Sequence, residues 1–384
     1  MRILYISSTN SLSGSSMALL NIIRGMRKLG HEIFVVTTRE NDYLIDQLKE
    51  IKCDYKQLNF TLNIYPLKKN PVLYIPRLLW MFLRYLYSKR ILFDITREFN
   101  PDIVHTNVGP LSIGYDVCRQ LGIKHVWHQR EYQDKDFGMN FFPNIQTFMR
   151  KSHGDNNFNI CITNGIFRYR SFRESQDIVI YDGVMSEEKI SQLPQRHEGN
   201  YILFVGRIEK AKGLFDVLLA FRDYQKEDEN IVLKVVGDTP KHGIAYEKKC
   251  HDFVEKTHLQ DKVIFIGQSK DVFTFMAHAK MMIVASHFEG FGFVTAEAML
   301  NGCPVIGKNT AGTKEQFDNG VKYTGKEIGI RYTTHQELVK AIQYAMHNDL
   351  TEMCQHAKDT ASHLYTVERN IKNIEAFYKK VIDS

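Results

Sequence analysis

Ser286-His287-Phe288-Glu289-Gly290-Phe291-Gly292-Phe293-Val294-Thr295-Ala296-Glu297-Ala298-Met299-Leu300-Asn301-Gly302-Cys303-Pro304-Val305-Ile306 decides how the chain is read. An apolar run of strand length, Met281 to Ala285, precedes it. Two glycines flank Phe291, a helical pattern runs from about Val294 to Leu300, and Gly302 and Pro304 stop it. Val305-Ile306 begins a second strand, so the unit is strand, glycine-rich loop, helix, strand. Glycines allow close approach of a backbone to a ligand. A helix N-terminus suits a phosphate, and carboxylates accept well from sugar hydroxyls. Glu289 and Glu297 stand eight residues apart, a helical span of about 12 Å. Two acids so placed could hold the ends of a ligand whose middle is phosphate, as in a nucleotide sugar. An acid in a first helical turn also simply complements the dipole, and Gly-Phe-Gly also makes a tight turn. The acid pair alone therefore leans towards structure.

The whole stretch resembles the signature of the retaining group 1 glycosyltransferases of the GT-B fold, in which two glutamates are separated by seven residues. Glu-Gly-Phe-Gly and Glu-Ala-Met-x-x-Gly-x-Pro-Val-Ile both match it. The resemblance implies an α/β chain with two Rossmann-like domains facing across a cleft. A C-terminal helix would pack back on the N-terminal domain. It implies transfer of a sugar from a UDP- or GDP-linked donor with retention, and no resident cofactor. Gly290, Phe291, Gly292, Val294, Thr295 and Glu297 become donor-binding candidates, and Glu289 a catalytic one.

Length and composition agree. The 384 residues suit two domains, with 43% hydrophobic and 24% charged residues. Six scattered cysteines without Cys-x-x-Cys argue for reduced thiols in a cytosol and against a zinc site. The first residues read directly as a strand rather than a signal peptide. The net charge of +6 sits in residues 1–190, which hold 25 Lys and Arg against 19 Asp and Glu; the remainder is balanced at 25 and 25. Between Asp54 and Asp94 there is no carboxylate, but there are Lys56, Lys68, Lys69, Arg77, Arg84, Lys89 and Arg90. Residues 64–92 read as a basic, aromatic-rich helical segment. Its six-residue apolar run between Arg77 and Arg84 is too short to span a bilayer. It suits an anionic membrane interface, or equally a core helix whose arginines reach solvent. Nucleic acid is not expected as a partner.

Along the chain, Arg2 to Ser7, a helix from about Ser16 to Leu29 and Ile33 to Thr37 form a β-α-β start with parallel strands. The first loop holds only Gly14 of a Gly-x-Gly-x-x-Gly, which disfavours a dinucleotide enzyme. The family's glycine pair at this loop is here Ser13-Gly14, and the resemblance makes Gly14 a donor-side candidate. Strand ends at Asp102 to Asn107 and Lys124 to Glu131 place Asn107, His128, Arg130 and Glu131 where an open parallel sheet binds ligands. His128 resembles the family's histidine near the donor sugar and counts as catalytic. Asn107, Arg130 and Glu131 are acceptor-side candidates. Residues 132–158 read as a polar, aromatic, mobile loop, and Asp134-Lys135-Asp136 within it as a solvated charge run rather than a metal site.

Ile178 to Val184 resembles the strand and Asn-Gly that close the family's first domain, with Asp182 in place of Asn. The expected domains are 1–190, binding acceptor, 191–365, binding the nucleotide sugar, and a returning helix, 366–384. Gly206-Arg207 to Lys212-Gly213 matches the family's Gly-Arg-x-x-x-x-Lys-Gly, which implies that Arg207 and Lys212 hold the diphosphate. Gln268, after the strand Lys262 to Gly267, should approach the base. Ala311-Gly312-Thr313-Lys314-Glu315 resembles Gly-Gly-x-x-Glu with Ala first.

The expected protein is a retaining glycosyltransferase in the cytoplasm or peripheral on the inner face of the plasma membrane, acting on a glycan or lipid-linked acceptor in bacterial cell-surface polysaccharide synthesis. A nucleotide-sugar epimerase and a soluble glycogen- or sucrose-type synthase share the architecture.

Overall fold

The computed structural model describes residues 1–8, 14–38, 42–66, 75–227 and 230–384. The chain forms two units, one of Met1–Gly183 with Val367–Ser384 and one of Val184–Thr366. The strands of the first unit are β1 (Arg2–Ser7), β2 (Glu32–Thr37), β3 (Asp54–Gln57), β4 (Ile64–Pro66), β5 (Ile103–Thr106), β6 (Lys124–Gln129), β7 (Met139–Phe141), β8 (Asn157–Cys161) and β9 (Ile178–Val179). Seven of them make a parallel sheet in the order β3-β2-β1-β5-β6-β8-β9, while β4 and β7 pair antiparallel. Buried on both faces, β1 is a continuous apolar run from Ile3 to Ile6, as a central parallel strand requires.

The second unit holds β10 (Tyr201–Val205), β11 (Val232–Val236), β12 (Val263–Gly267), β13 (Met281–Val284), β14 (Val305–Lys308) and β15 (Ile330–Tyr332), in the order β12-β11-β10-β13-β14-β15. The order reverses between β1 and β5 in one sheet and between β10 and β13 in the other. Open α/β sheets bind ligands at such switch points, outside the carboxyl ends of the strands. The loops after β10 and β13 carry Arg207, Lys212 and Glu289.

The final helix, Val367–Asp383, lies on the helix Gly14–Lys28 of the first unit. Ile374, Phe377, Tyr378 and Val381 join Ile3, Tyr5, Leu19 and Val35 in one core. A Cβ at Gly25 would sit 2.1 Å from Ile371 Cδ1, so glycine is what lets the two helices approach. The units divide after Gly183, ahead of the polar linker, because Val184 donates to the Tyr365 carbonyl at 2.8 Å and Met185 bridges to Thr366.

Residues 132–158 are not a loop. They form a helical turn at Asp134–Phe137, β7, a helix at Ile145–Ser152 and the start of β8. Phe141 stacks on Phe148 at 4.0 Å, and Phe148 meets the buried Trp127. Aromatic anchoring orders elements too short to show a period. The strand expected over Ile178 to Val184 is only two residues long.

Candidate active site

In the second unit the site begins with the turn after β10. Gly213 has φ +73, and a Cβ there would come 2.1 Å from the Ala285 carbonyl oxygen. Only glycine lets the helix Leu214–Tyr224 start so close to the end of β13, and this holds Lys212 against the Glu289 loop. Lys212 Nζ donates to Glu289 Oε1, and Ser286 Oγ donates to the same oxygen at 2.5 Å. Burial alone would raise the Glu289 carboxyl. The Lys212 charge and hydrogen bond, Ser286 and the more distant Arg207 outweigh it and hold Glu289 below the usual range. Glu289 is therefore a carboxylate at neutral pH. Arg207 is more than half exposed and pairs with Glu209 at 2.8 Å, and Glu209 also meets His242 Nε2 at 2.9 Å.

The loop is fixed from behind. Gly292 has φ +91 and opens the helix Phe293–Leu300. Gln316 Nε2 donates to the carbonyls of Phe291 and Gly292 at 2.8 and 3.0 Å. Gly312 N–H donates to the Glu289 carbonyl at 3.1 Å, and a Cβ on Gly312 would lie 2.2 Å from the Phe291 carbonyl. Ala311, where the family pattern has glycine, takes φ +43. Phe291 packs inward against Phe293 and Tyr365, so its ring is core. Thr295 is buried with its hydroxyl 3.4 Å from that of Thr313. Gly290 and Val294 are half-buried, and Gln268 is exposed just after β12.

Glu297 differs from Glu289 in kind. Among the described residues its half-buried carboxyl has no hydrogen-bond partner, and burial pushes it up to about 7.

In the first unit the structure joins three of the expected residues. Arg130 Nε donates to Asn107 Oδ1 at 2.9 Å, and Arg130 Nη2 lies 3.4 Å from His128 Nδ1. All three are buried. Arg130 also donates to both oxygens of Asp182 at 2.7 Å. Arg130 is thus half of a buried ion pair. The Asp182 that departs from the family pattern is its counter-charge. Glu131 is half-buried, accepts weakly from Gly109 N–H at 3.4 Å, and is pushed up to about 7 by burial and by the neighbouring Asp136. Gly14 is the first residue of its helix, and Ser13 lies outside the described residues.

Asp134 and Asp136 are not a solvated run. Asp136 accepts from the backbone of Tyr132 and Gln133 at 2.8 and 2.6 Å, and Asp134 from the Tyr169 hydroxyl. Among the described residues no group of three His, Cys, Asp or Glu is placed to hold a metal ion. Sequence reasoning missed Ser286, Gln316, Asp182, His105 and Tyr378. Of these Ser286 lies three residues before Glu289; the others act across 23 or more residues.

The profile of the family described as "Glycosyl transferases group 1" matches residues 185–363, and that of "Glycosyltransferase Family 4" matches residues 12–153. The N-acetyl-alpha-D-glucosaminyl L-malate synthase of Bacillus anthracis is 27% identical over 47% of this chain. The match spans 45% of that relative's length, and other relatives, such as a trehalose synthase of Pyrococcus horikoshii at 41%, are likewise spanned over less than half. The alpha-monoglucosyldiacylglycerol synthase of Streptococcus pneumoniae is 23% identical over 97% of this chain and 84% of its own. The solved structure of Anabaena HepE in complex with UDP has a TM-score of 0.79 at 20% identity, covering 99% of this chain and 100% of that one. With both units matched and the glycine-framed acidic loop in place, the chain belongs to the group 1 glycosyltransferases of the GT-B fold.

Proposed function

We propose that this protein is a retaining glycosyltransferase that moves a sugar from a UDP- or GDP-linked donor to a glycan or lipid-linked acceptor, in bacterial cell-surface polysaccharide synthesis at the cytoplasmic face of the membrane. The observation that carries the reading is the Lys212–Glu289 pair at the switch point of the second sheet, beside Arg207 and the first turn of Phe293–Leu300. The UDP bound by Anabaena HepE supports a nucleotide donor.

On this reading Glu289, held as a carboxylate, accepts from hydroxyls of the donor sugar, and Glu297 accepts from the ribose. The bond from the anomeric carbon to the phosphate oxygen breaks, and its electrons leave with the diphosphate. Arg207, Lys212 and the free N–H groups of the helix start stabilise that developing charge without a divalent metal. The acceptor oxygen arrives on the same face and passes its proton to the departing phosphate. The new bond thereby keeps the anomeric configuration.

A lipid-linked acceptor is favoured by the helix Ile75–Phe99. Ile75, Leu79, Trp80, Phe82, Leu83, Leu86 and Tyr87 are each 47–69% exposed on it, opposite the buried Met81, Ser88 and Leu92. Exposed Arg77 and Arg90 flank this apolar face. Among the described residues no helix is long and apolar enough to cross a membrane. An exposed apolar stripe with a cationic border suits an anionic membrane surface. The name of the lipid-directed Streptococcus pneumoniae relative agrees with that reading. Lys68 and Lys69, which the sequence adds to the patch, lie outside the described residues.

A donor screen followed by nucleoside diphosphate release, run with and without lipid-linked acceptors and with excess chelator, tests the proposal. Donor-dependent release that needs an acceptor, survives chelation and yields an anomer matching the donor is the expected result. An epimerised nucleotide sugar without acceptor, or activity restored only by magnesium or manganese, would overturn it.

A further inference from the structure

Arg207, the exposed cation of the site, has an acid of its own. Its Nη2 lies 2.8 Å from Glu209 Oε1, and the other oxygen, Oε2, lies 2.9 Å from His242 Nε2. The acid stands inside and its partners outside: the side chain of Glu209 is 11% exposed, that of Arg207 58% and that of His242 71%. The backbone holds Glu209 as well. Its N–H donates to the Arg207 carbonyl at 2.9 Å, and its carbonyl accepts from Lys212 N–H at 3.0 Å. His242 stands on the short turn Lys241–Gly243 beyond β11. A Cβ at Gly243 would come 2.6 Å from the Ile208 carbonyl oxygen, so glycine lets that turn close on the loop after β10. Glu209 thus stays in place if a ligand draws the guanidinium away.

Both cations expected at the diphosphate are therefore matched by acids, Lys212 by Glu289 and Arg207 by Glu209. The two pairs form one group, since the Arg207 charge helps to hold the Glu289 carboxyl below its usual range. Their acids differ in what they offer. On the reading above Glu289 has the donor sugar to meet. Glu209 has both oxygens occupied from within the protein, and a carboxylate kept from water depends on such partners. A diphosphate that takes Arg207 must share it with Glu209 or draw it off. In either case the repulsion between carboxylate and phosphate remains. An acid so placed weakens anion binding.

We propose that Glu209 is a built-in competitor for Arg207: it keeps that cation paired in the empty site and so loosens the grip on the nucleoside diphosphate left by transfer, easing its release. This rests on the glycosyl-transfer reading above, in which Arg207 meets the diphosphate. Tight binding of the ground state or the product does nothing for the chemical step, and product release limits turnover in many enzymes. A nearby acid that opposes such binding is a use for a carboxylate that touches neither sugar nor ribose.

Calorimetry with UDP and with GDP tests this without any acceptor. Glu209→Gln keeps the length and polarity of the side chain and removes its charge. It should bind whichever nucleoside diphosphate wild type binds roughly 3- to 10-fold more tightly, the worth of one partly screened ion pair. Dissociation followed by stopped flow should slow accordingly, and in transfer assays the same nucleotide should inhibit the variant at a lower concentration than wild type. Glu209→Ala should shift the affinity in the same direction. Glu352→Gln, which removes an equal charge from an exposed acid outside the ion pairs of the site, should leave it unchanged. The direction of the change is decisive, because damage to the loop after β10 would weaken binding rather than tighten it. Unchanged or weaker binding in Glu209→Gln, with a melt showing it folded, overturns the proposal and leaves Glu209 a tie between the loops after β10 and β11. Equal tightening in Glu352→Gln overturns it too, since net charge alone would then account for the gain. Should Glu209→Gln not fold, the same readings on Glu209→Ala decide. Wild type that binds neither UDP nor GDP overturns instead the donor reading, and the proposal with it.

Discussion

Lys212 donates to the carboxylate of Glu289 across 77 residues of chain, so the cation that would meet a diphosphate is held, before any ligand arrives, by the acid that would meet the sugar. Lys212 keeps the acid charged in a setting where burial would otherwise raise it. Lys212→Ala and Arg207→Ala should each reduce transfer by roughly 10²-fold or more, the loss typical of one removed transition-state charge partner. Lys212→Ala should also destabilise the second unit at pH 7, where it leaves a poorly solvated carboxylate, and much less at pH 4. Steady-state rates and melts at both pH values check this; near-wild-type transfer in both variants would refute the role.

Glu297 should behave in the opposite sense. Its folded-state pKa of about 7 lies above the 4.5 of an ordinary glutamate. Between those values the unfolded chain gives up the proton that the fold retains, so stability falls as pH rises from about 4.5 to about 7 and stays reduced above. Glu297→Gln should therefore melt higher than wild type at pH 8 and level with it at pH 4, while binding free nucleoside diphosphate more weakly in calorimetry. Glu289→Gln should keep its nucleotide affinity and lose turnover. An equal loss of affinity in both variants would sink this division of labour.

Gly312→Ala should damage the loop without touching any charged group. The added methyl would lie 2.2 Å from the Phe291 carbonyl, whose loop must shift to admit it. Overpacking of this kind costs about 1–3 kcal/mol. A lower melting temperature with a lower rate is expected. A neutral substitution would mean that the loop carrying Glu289 is not fixed from behind as described.

The helix Ile75–Phe99 should bring the protein to anionic vesicles. Each cation near such a surface contributes about 1 kcal/mol, and salt should weaken the binding because the Debye length falls to about 3 Å at 1 M. Changing Arg77, Lys89 and Arg90 to Gln, or Trp80 and Leu83 to Ser, should reduce sedimentation with anionic lipid. Arg84 is left alone because it stacks on Trp80 and its Nε donates to the Asn59 carbonyl at 3.2 Å. Equal binding of wild type and variants, or no preference for anionic over neutral lipid, would leave the patch an ordinary surface.

The second unit was legible because its chemistry is local. Glu289, Gly290, Gly292 and the helix after them are neighbours in sequence, and spacing alone places them on one loop and one helix. Arg207 and Lys212 are equally compact. The first unit was less legible for a physical reason. Its polar cluster is assembled from strand ends and from the last helix, so no window of sequence contains Arg130 with Asp182, or His105 with Tyr378. Arg130, read as an acceptor-side candidate, is also half of an ion pair with Asp182 that no local window shows. Residues 132–158 were misread because Phe141 and Phe148 order them by stacking beneath Trp127, which leaves no periodic trace.

The return of the final helix to the first unit has a consequence for synthesis. Chains emerge from the ribosome in order, and domains generally fold as they emerge. The second unit is continuous in sequence and can fold as soon as residues 184–366 are out. The first unit cannot close its core until Ile374, Phe377, Tyr378 and Val381 exist, although its strands were made first. A chain stalled anywhere before residue 367 leaves an apolar face uncovered on Ile22, Ile23 and Met26, a ready mark for chaperones and proteases. Residues 1–183 mixed with a peptide of residues 367–384 should reassemble where either alone stays open.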